Sequence, residues 1–102
     1  MTNFRTYQLA KALFHNLKVL NVKGEMKDQL ERASLSIVLN LAEGSAKTGK
    51  DRKRFFTIAM GSLKETQAII DLMEHQELLN QADKVAASLY RLLQNPGPGP
   101  TA

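Results

Sequence analysis

A dense cluster of cations is the feature of the sequence with the clearest chemical meaning. The segment KTGKDRKR, residues 47–54, holds five Lys or Arg side chains and one acid, Asp51. Three of the cations fall in the opening turn of a predicted helix, where the helix dipole disfavours positive charge. An external anion such as the phosphate of a nucleic acid would offset this. The predicted nucleic-acid-binding residues are Lys47, Lys50, Arg52, Lys53 and Arg54.

The neighbouring aromatic residues indicate how such a cluster would bind. Phe55 and Phe56 follow the apolar pattern of the helix, so no aromatic side chain interleaves with the cations. Contact with backbone phosphate and shape is therefore predicted, rather than base stacking. The alternative interpretation of residues 47–54 is a solubilising loop.

A polar pair precedes the cluster. Asn40 and Glu43 are three residues apart and share one face of a predicted helix. No histidine or nucleophile lies nearby, so a pair that fixes helix register is favoured over a catalytic pair. A carboxylate near a helix C-terminus is disfavoured by the dipole. We therefore expect Glu43 to have a cationic partner near the start of the next helix or on another subunit, and Gly44 to end the helix.

A second packing motif combines Gly61 and Ser62 in the middle of the third predicted helix. Glycine there costs about 1 kcal/mol relative to alanine. Close approach of a neighbouring backbone, at Ala33, Ser34 or Ser36, is the predicted reason. A kink that shapes a pocket is the alternative.

Motifs for metals and cofactors are not apparent. His15 and His75 lack the spacing of a recognisable metal motif, and EHQE is not the Glu-x-x-His of a di-iron bundle. GSAKTGK fails the phosphate-loop pattern because Asp51 follows Lys50. No metal or cofactor is predicted.

Composition defines the broad class. The 102 residues suit one domain, and 43% of them are apolar. No apolar run approaches the ~20 residues of a membrane span. With no cysteine and no signal segment, a cytoplasmic location is expected. Charge is uneven: residues 1–64 hold twelve Lys or Arg against five acids, and residues 65–102 hold two against five.

Apolar spacing of about 3.6 residues predicts four helices, over residues 3–20, 26–43, 51–76 and 81–94. The inward stripe predicted for the third helix consists of Phe55, Ala59, Ser62, Thr66, Ile69 and Met73, flanked by Phe56, Leu63 and Ile70. The second helix carries a second apolar stripe, which could meet another subunit; it contains Leu35, Val38, Leu39 and Ala42.

Short connections between these helices predict an all-α, single-domain, antiparallel up-down four-helix bundle. The bundle is expected over residues 1–95. Residues 96–102, PGPGPTA, are predicted to be a flexible tail.

The segment ASLSIVLNLAEGSAKTGKDRKRFFTIAMGSLKET, residues 33–66, resembles the 23S rRNA intervening-sequence proteins, also called four helix bundle proteins. Their pattern is, loosely, A-x-S-I-x-x-N-[IL]-A-E-G, a polar or basic loop, and F-x-x-[IA]-A-x-G-S-x-x-E. The matching residues are Ser36, Ile37, Asn40, Leu41, Ala42, Glu43, Gly44, Phe55, Ile58, Ala59, Gly61, Ser62 and Glu65.

The resemblance implies a small bacterial four-helix bundle that forms a ring-shaped homopentamer. Some members are encoded in segments inserted into large-subunit rRNA genes, and a related accessory protein works with a reverse transcriptase and nucleic acid. No enzymatic activity is attached to the family. The sequence departs from the pattern in its short fourth helix and its Pro-Gly tail.

Two functions from different classes follow. The first is a non-enzymatic, oligomeric accessory protein that binds nucleic acid, RNA rather than DNA, through the basic cluster. The second is a protein–protein adaptor that binds no nucleic acid, and its binding would be insensitive to salt. An enzyme is the least favoured reading, since it would need a pocket with perturbed carboxylates, for instance around Glu43 and Glu65.

Overall fold

A computed structural model describes residues 4–95 of the chain. Over these residues the chain folds into four helices. The helices are α1 (Arg5–Lys18), α2 (Gly24–Ser45), α3 (Gly49–Leu72) and α4 (Gln76–Gln94). The prediction of an all-α domain is confirmed. Asn3, the expected start of the first helix, and the predicted tail at residues 96–102 lie outside the described residues.

Polar side chains that bridge neighbouring helices define an antiparallel arrangement. Thr6, near the start of α1, shares a buried hydrogen bond with Ser88, near the end of α4. Further bridges are Asn16–Gln81 at 2.8 Å, Ser36–Ser62 at 2.7 Å and Gln67–Asp83 at 2.9 Å. The bridges from Thr6, Asn16 and Gln67 each join one helix near one end to a neighbouring helix near its opposite end, and Ser36–Ser62 joins the middle of α2 to the middle of α3. The predicted up-down bundle is confirmed, and it measures 43 × 21 × 20 Å.

One apolar core runs the length of the bundle. All four helices contribute to it, since each presents apolar residues at helical spacing on the side that faces its neighbours. The largest fully buried apolar side chains are Leu13, Leu30, Ile37, Leu41, Phe56, Leu63, Ile70, Val85 and Leu89. Within residues 4–95, no buried side-chain nitrogen or oxygen lacks a hydrogen-bond partner.

The face that α3 turns to the core differs from the predicted stripe. Its buried residues are Phe56, Ala59, Leu63, Thr66 and Ile70. Three of these were predicted to flank the stripe, whereas Phe55, Ser62, Ile69 and Met73 are only partly buried. The prediction was wrong: the buried face of α3 is rotated about the helix axis, by about one residue, from the predicted stripe. The reason is that α3 packs against both α2 and α4, and its core face lies between them.

The α3–α4 turn, residues 72–76, falls earlier than expected. Backbone bonds from the Glu74 N–H to the Asp71 oxygen (3.0 Å) and from the His75 N–H to the Ile70 oxygen (3.4 Å) close α3 in a Schellman motif. Glu74 occupies the left-handed position, with φ of 56°. Glycine is the usual residue there, so the sequence carried no signal for the turn. His75 then caps α4, since its Nδ1 accepts the Leu78 N–H at 3.3 Å.

Candidate nucleic-acid interface

The up-down order brings four helix ends together at one end of the bundle. This basic end comprises the two outermost turns of each helix at that end and the connection 46–48. Phe4 and Phe56 meet there, with ring centroids 6.3 Å apart. Its acids are Glu43 and Asp51, and its eight cations are Arg5, Lys11, Lys47, Lys50, Arg52, Lys53, Arg54 and Arg91.

All five predicted nucleic-acid-binding residues therefore lie at the basic end. Arg5, Lys11 and Arg91 were missed, since they are distant in sequence from residues 47–54 and are exposed on other helices. Only the antiparallel order of the helices could have assigned them to the same end.

The opposite end of the bundle has the reverse balance of charge. Defined in the same way, it holds three cations, Lys18, Lys23 and Lys27. Its five acids are Glu25, Asp28, Asp71, Glu74 and Glu77. The uneven charge along the sequence thus becomes a separation of charge along the bundle.

Residues 43–56, the α2–α3 corner, are held by close contact between a glycine and an aromatic ring. A Cβ added to Gly44 would lie 2.6 Å from Cε1 of Phe56. Gly44 is helical and buried, and α2 continues through Ser45. The prediction that Gly44 ends the helix was wrong. The glycine is required because the buried Phe56 ring packs directly on the α2 backbone.

Arg52 caps the end of α2. Its Nε donates to the Gly44 carbonyl oxygen at 3.1 Å, and a terminal nitrogen donates to the Ser45 oxygen at 2.8 Å. The guanidinium also lies 5.9 Å from the centre of the Phe56 ring. These carbonyls lie at the negative end of the α2 dipole. The Gly44 oxygen also accepts the backbone N–H of Lys47 at 3.0 Å. Arg52 is half-buried in this contact, so it is the least available of the five predicted cations.

Glu43 does have a cationic partner. Lys47, one turn later in the connection to α3, places its Nζ 3.4 Å from a Glu43 carboxylate oxygen. This partner lies close to the expected place, just before α3. Because both side chains are substantially exposed to water, the pair adds little to stability. It does reduce the charge that Lys47 offers to an external anion.

The remaining three predicted cations are presented to solvent. Lys50, Lys53 and Arg54 are all exposed on the first two turns of α3. The Arg54 guanidinium lies 4.8 Å from the centre of the Phe55 ring. A cation over an aromatic face is stabilised in that position. Arg54 is thus oriented by its neighbour and keeps its charge on the surface.

Asn40 and Ser62 belong to one polar bridge between α2 and α3. The Asn40 amide donates to the carbonyl oxygen of Ser36 at 2.9 Å and to its hydroxyl at 3.1 Å. The Ser36 hydroxyl is hydrogen-bonded to Ser62 at 2.7 Å. Asn40 therefore contributes to helix register through Ser36, and Glu43 is held separately by Lys47.

Gly61 is not part of this contact. It is exposed, and nothing lies within 4 Å of the position that a Cβ would occupy. The predicted approach of Ala33, Ser34 or Ser36 to Gly61 was wrong. The small residue that meets α2 is Ser62, one position along, because the buried face of α3 is rotated relative to the predicted stripe.

Other kinds of site find little support among residues 4–95. No group of three or more acidic or histidine side chains is placed to hold a metal ion. An open depression of about 360 Å³ includes Glu65, together with Glu25 and Gln29, but no histidine or nucleophile. No helix in this part of the chain is long and apolar enough to cross a membrane.

The fold and the site together define a small up-down four-helix bundle with one cationic end. Within that class, the model of the 23S rRNA-intervening sequence proteins matches residues 4–95, and the chain belongs to this family. The resemblance noted in residues 33–66 is thereby confirmed over most of the chain.

A solved structure agrees with the fold. The chain is similar to a crystal structure from Bacteroides thetaiotaomicron, of a protein with unknown function in the S23 ribosomal protein family. The TM-score is 0.79 and the sequence identity is 15%, with 89% of this chain and 100% of the other covered. At this identity the likeness establishes the fold alone. No curated protein matches the chain.

Proposed function

We propose that the protein is a non-enzymatic, self-associating bundle that binds nucleic acid, RNA in preference to DNA, through its basic end. The observation that carries the proposal is the gathering of eight Lys and Arg residues from α1, α3, α4 and the α2–α3 connection, with two acids, at one end. Such a surface attracts the phosphate backbone irrespective of base sequence.

The contacts within the basic end rank its residues. Lys50, Lys53 and Arg54 are exposed and carry the main phosphate contacts. Lys47 contributes less because it is paired with Glu43 at 3.4 Å, and Arg52 contributes chiefly by fixing the shape of the corner. The preference for RNA rests on the family resemblance.

Self-association would strengthen weak phosphate contacts. The resemblance implies a homopentameric ring, in which the basic end is repeated in every subunit. Several weak contacts on one RNA act as an avid site because later contacts form at high effective concentration. The mass of the protein in solution, measured by light scattering, tests the ring.

The binding proposal is tested by fluorescence anisotropy with a labelled RNA hairpin and a DNA hairpin of the same sequence, over a salt series. The variant K50Q/K53Q/R54Q removes three charges from the basic end. Its matched control, K18Q/K23Q/K27Q, removes three exposed charges from the opposite end. We expect the first variant to reduce the log–log salt slope by about 2–3, with little change in the control.

Equal losses in the two variants would show non-specific attraction, and no binding of the intact protein at low salt would reject the proposal. An adaptor function would then be favoured. The exposed apolar side chains Leu35, Leu39 and Ile58 are the observation that supports this alternative.

A further inference from the structure

The outer face of α3 carries a regular seam of exposed residues. The seam contains six residues of α3, which are all solvent-exposed and follow one another at alternating intervals of four and three residues. This is the heptad spacing by which one helix packs along another. The α3 seam consists of Arg54, Ile58, Gly61, Glu65, Ala68 and Leu72.

The composition of the seam is unusual for a face in contact with water. Ile58 is 42% exposed and Leu72 is 72% exposed. Gly61 lies in mid-helix with open space around it, although alanine there would favour the helix by about 1 kcal/mol. Nothing within residues 4–95 accounts for a missing side chain at this position. A helix from outside the chain would account for it.

The order of residues along the seam is complementary to itself. When α3 is paired antiparallel with a second α3, around a two-fold axis between positions 59 and 60, Ile58 faces Gly61 and Arg54 faces Glu65. The same two contacts then recur on the other side of the axis, as an isologous interface requires. In one short contact a bulky side chain thus meets a gap twice, and a cation meets an anion twice.

Two neighbouring features suit this arrangement. The Arg54 guanidinium is kept on the surface by the Phe55 ring, at 4.8 Å. Leu39 lies on α2 at the level of Ile58, as the Ser36–Ser62 hydrogen bond sets the register of the two helices, and it is 57% exposed. Leu39 would therefore be covered at the margin of the same contact.

From this complementarity of shape and charge, we infer that the α3 seam is a two-fold interface between two copies of the chain. Ile58 of each copy sits over Gly61 of the other, and Arg54 pairs with Glu65. A two-fold contact differs from the head-to-tail contacts that close a ring, so it joins two chains, or two rings where rings form. It requires no nucleic acid.

The first test is the mass of the full chain in solution, by light scattering and sedimentation, for the wild type and for Gly61→Leu. A leucine at position 61 would occupy the space that Ile58 of the other copy needs. We expect the mass of the assembly to fall two-fold and its dissociation constant to rise at least about ten-fold. Because position 61 is open within the chain, the variant should melt no lower than the wild type.

Ala12→Leu is the matched control, since it adds a similar side chain at an exposed helical position on α1 and should leave the mass unchanged. An assembly that persists unaltered in Gly61→Leu would overturn the inference, even if that assembly is a ring. A wild type that is monomeric at high concentration would overturn it as well.

The second test addresses the pairing of charges. Glu65→Arg and Arg54→Glu should each weaken the assembly, because like charges would then face each other, and the double variant R54E/E65R should restore it. Loss without restoration would reject this register. RNA binding of Gly61→Leu, measured separately, distinguishes this interface from the basic end, since position 61 lies outside the basic end and the substitution changes no charge.

Discussion

The two connections on either side of α3 close helices of the same bundle by different means. At the α2–α3 corner, the end of α2 is completed by a side chain: Arg52 donates to the carbonyls of Gly44 and Ser45. At the α3–α4 turn, the end of α3 is completed by the backbone, through the N–H groups of Glu74 and His75. The first connection uses the guanidinium of Arg52, a member of the basic cluster, as a helix cap. The second connection leaves its acidic side chains exposed to solvent.

This difference distinguishes charged side chains that hold the fold together from charged side chains that can contact a ligand. A Schellman motif needs no particular side chain beyond the residue in the left-handed conformation, so the α3–α4 turn leaves its charged residues unconstrained. The α2–α3 corner depends on the identity of three residues, Gly44, Arg52 and Phe56. A count of cations in residues 47–54 therefore overstates the charge that the corner can offer to phosphate.

Gly44→Ala should have the largest effect on stability. The added methyl group would lie 2.6 Å from Phe56, and overpacking of this kind costs about 1–3 kcal/mol. Urea denaturation measures the free energy of unfolding. The matched control is Gly61→Ala, also in a helix but in open space, and it should be neutral or stabilising. Equal effects of the two substitutions would show that Phe56 does not pack on α2 as described.

Arg52→Met should have the next largest effect. It keeps the aliphatic length but removes two charge-assisted hydrogen bonds to helix-end carbonyls, at an expected loss of about 1–3 kcal/mol. Arg54→Met, at an exposed position on the same turn of the helix, should change the free energy of unfolding by less than about 0.5 kcal/mol. If the two variants are equally stable, Arg52 is not the cap of α2.

Glu74→Gly should make the other connection more stable. At φ of 56°, a residue with a Cβ is disfavoured by about 1–2 kcal/mol, and glycine relieves part of this. We expect a gain of about 1 kcal/mol in thermal or urea unfolding. Asp71→Gly, within the last turn of α3, should have the opposite sign because that position is helical.

His75→Ala should have the smallest effect. It removes the Nδ1 acceptor for the Leu78 N–H, a bond of 3.3 Å, and loss of a helix N-cap at this length should cost about 0.5 kcal/mol. Aspartate is a preferred N-cap residue, so His75→Asp should restore the stability that alanine removes. If both variants match the wild type, the cap contributes nothing measurable.

Much of the architecture could be predicted from the sequence. Apolar periodicity located the four helices, and short connections implied their antiparallel order. The position of the α3–α4 turn could not be predicted, because Glu74 adopts a conformation usually signalled by glycine. The face of α3 was also misplaced, since stripes containing Phe55 or Phe56 are almost equally apolar and only packing against two neighbours selects Phe56.

The location of the candidate site could be predicted from the sequence, but the separate structural roles of its cations could not. Both Lys47 and Arg52 belong to the basic segment, yet one pairs with Glu43 and the other caps α2. Those contacts depend on the angle at which α3 leaves the corner, which no local pattern specifies. Gly44 and Gly61 make the same point, because both are helical glycines and only Gly44 is in close contact within the chain.

The separation of charge along the bundle also has a kinetic consequence. With six net positive charges at one end and two net negative charges at the other, in a body 43 Å long, the molecule has a large electric dipole along its axis. A polyanion exerts a torque on such a dipole before contact, and the basic end turns toward it. Encounter would thus be end-on and fast at low salt. The orientation would weaken as the Debye length falls below about 10 Å.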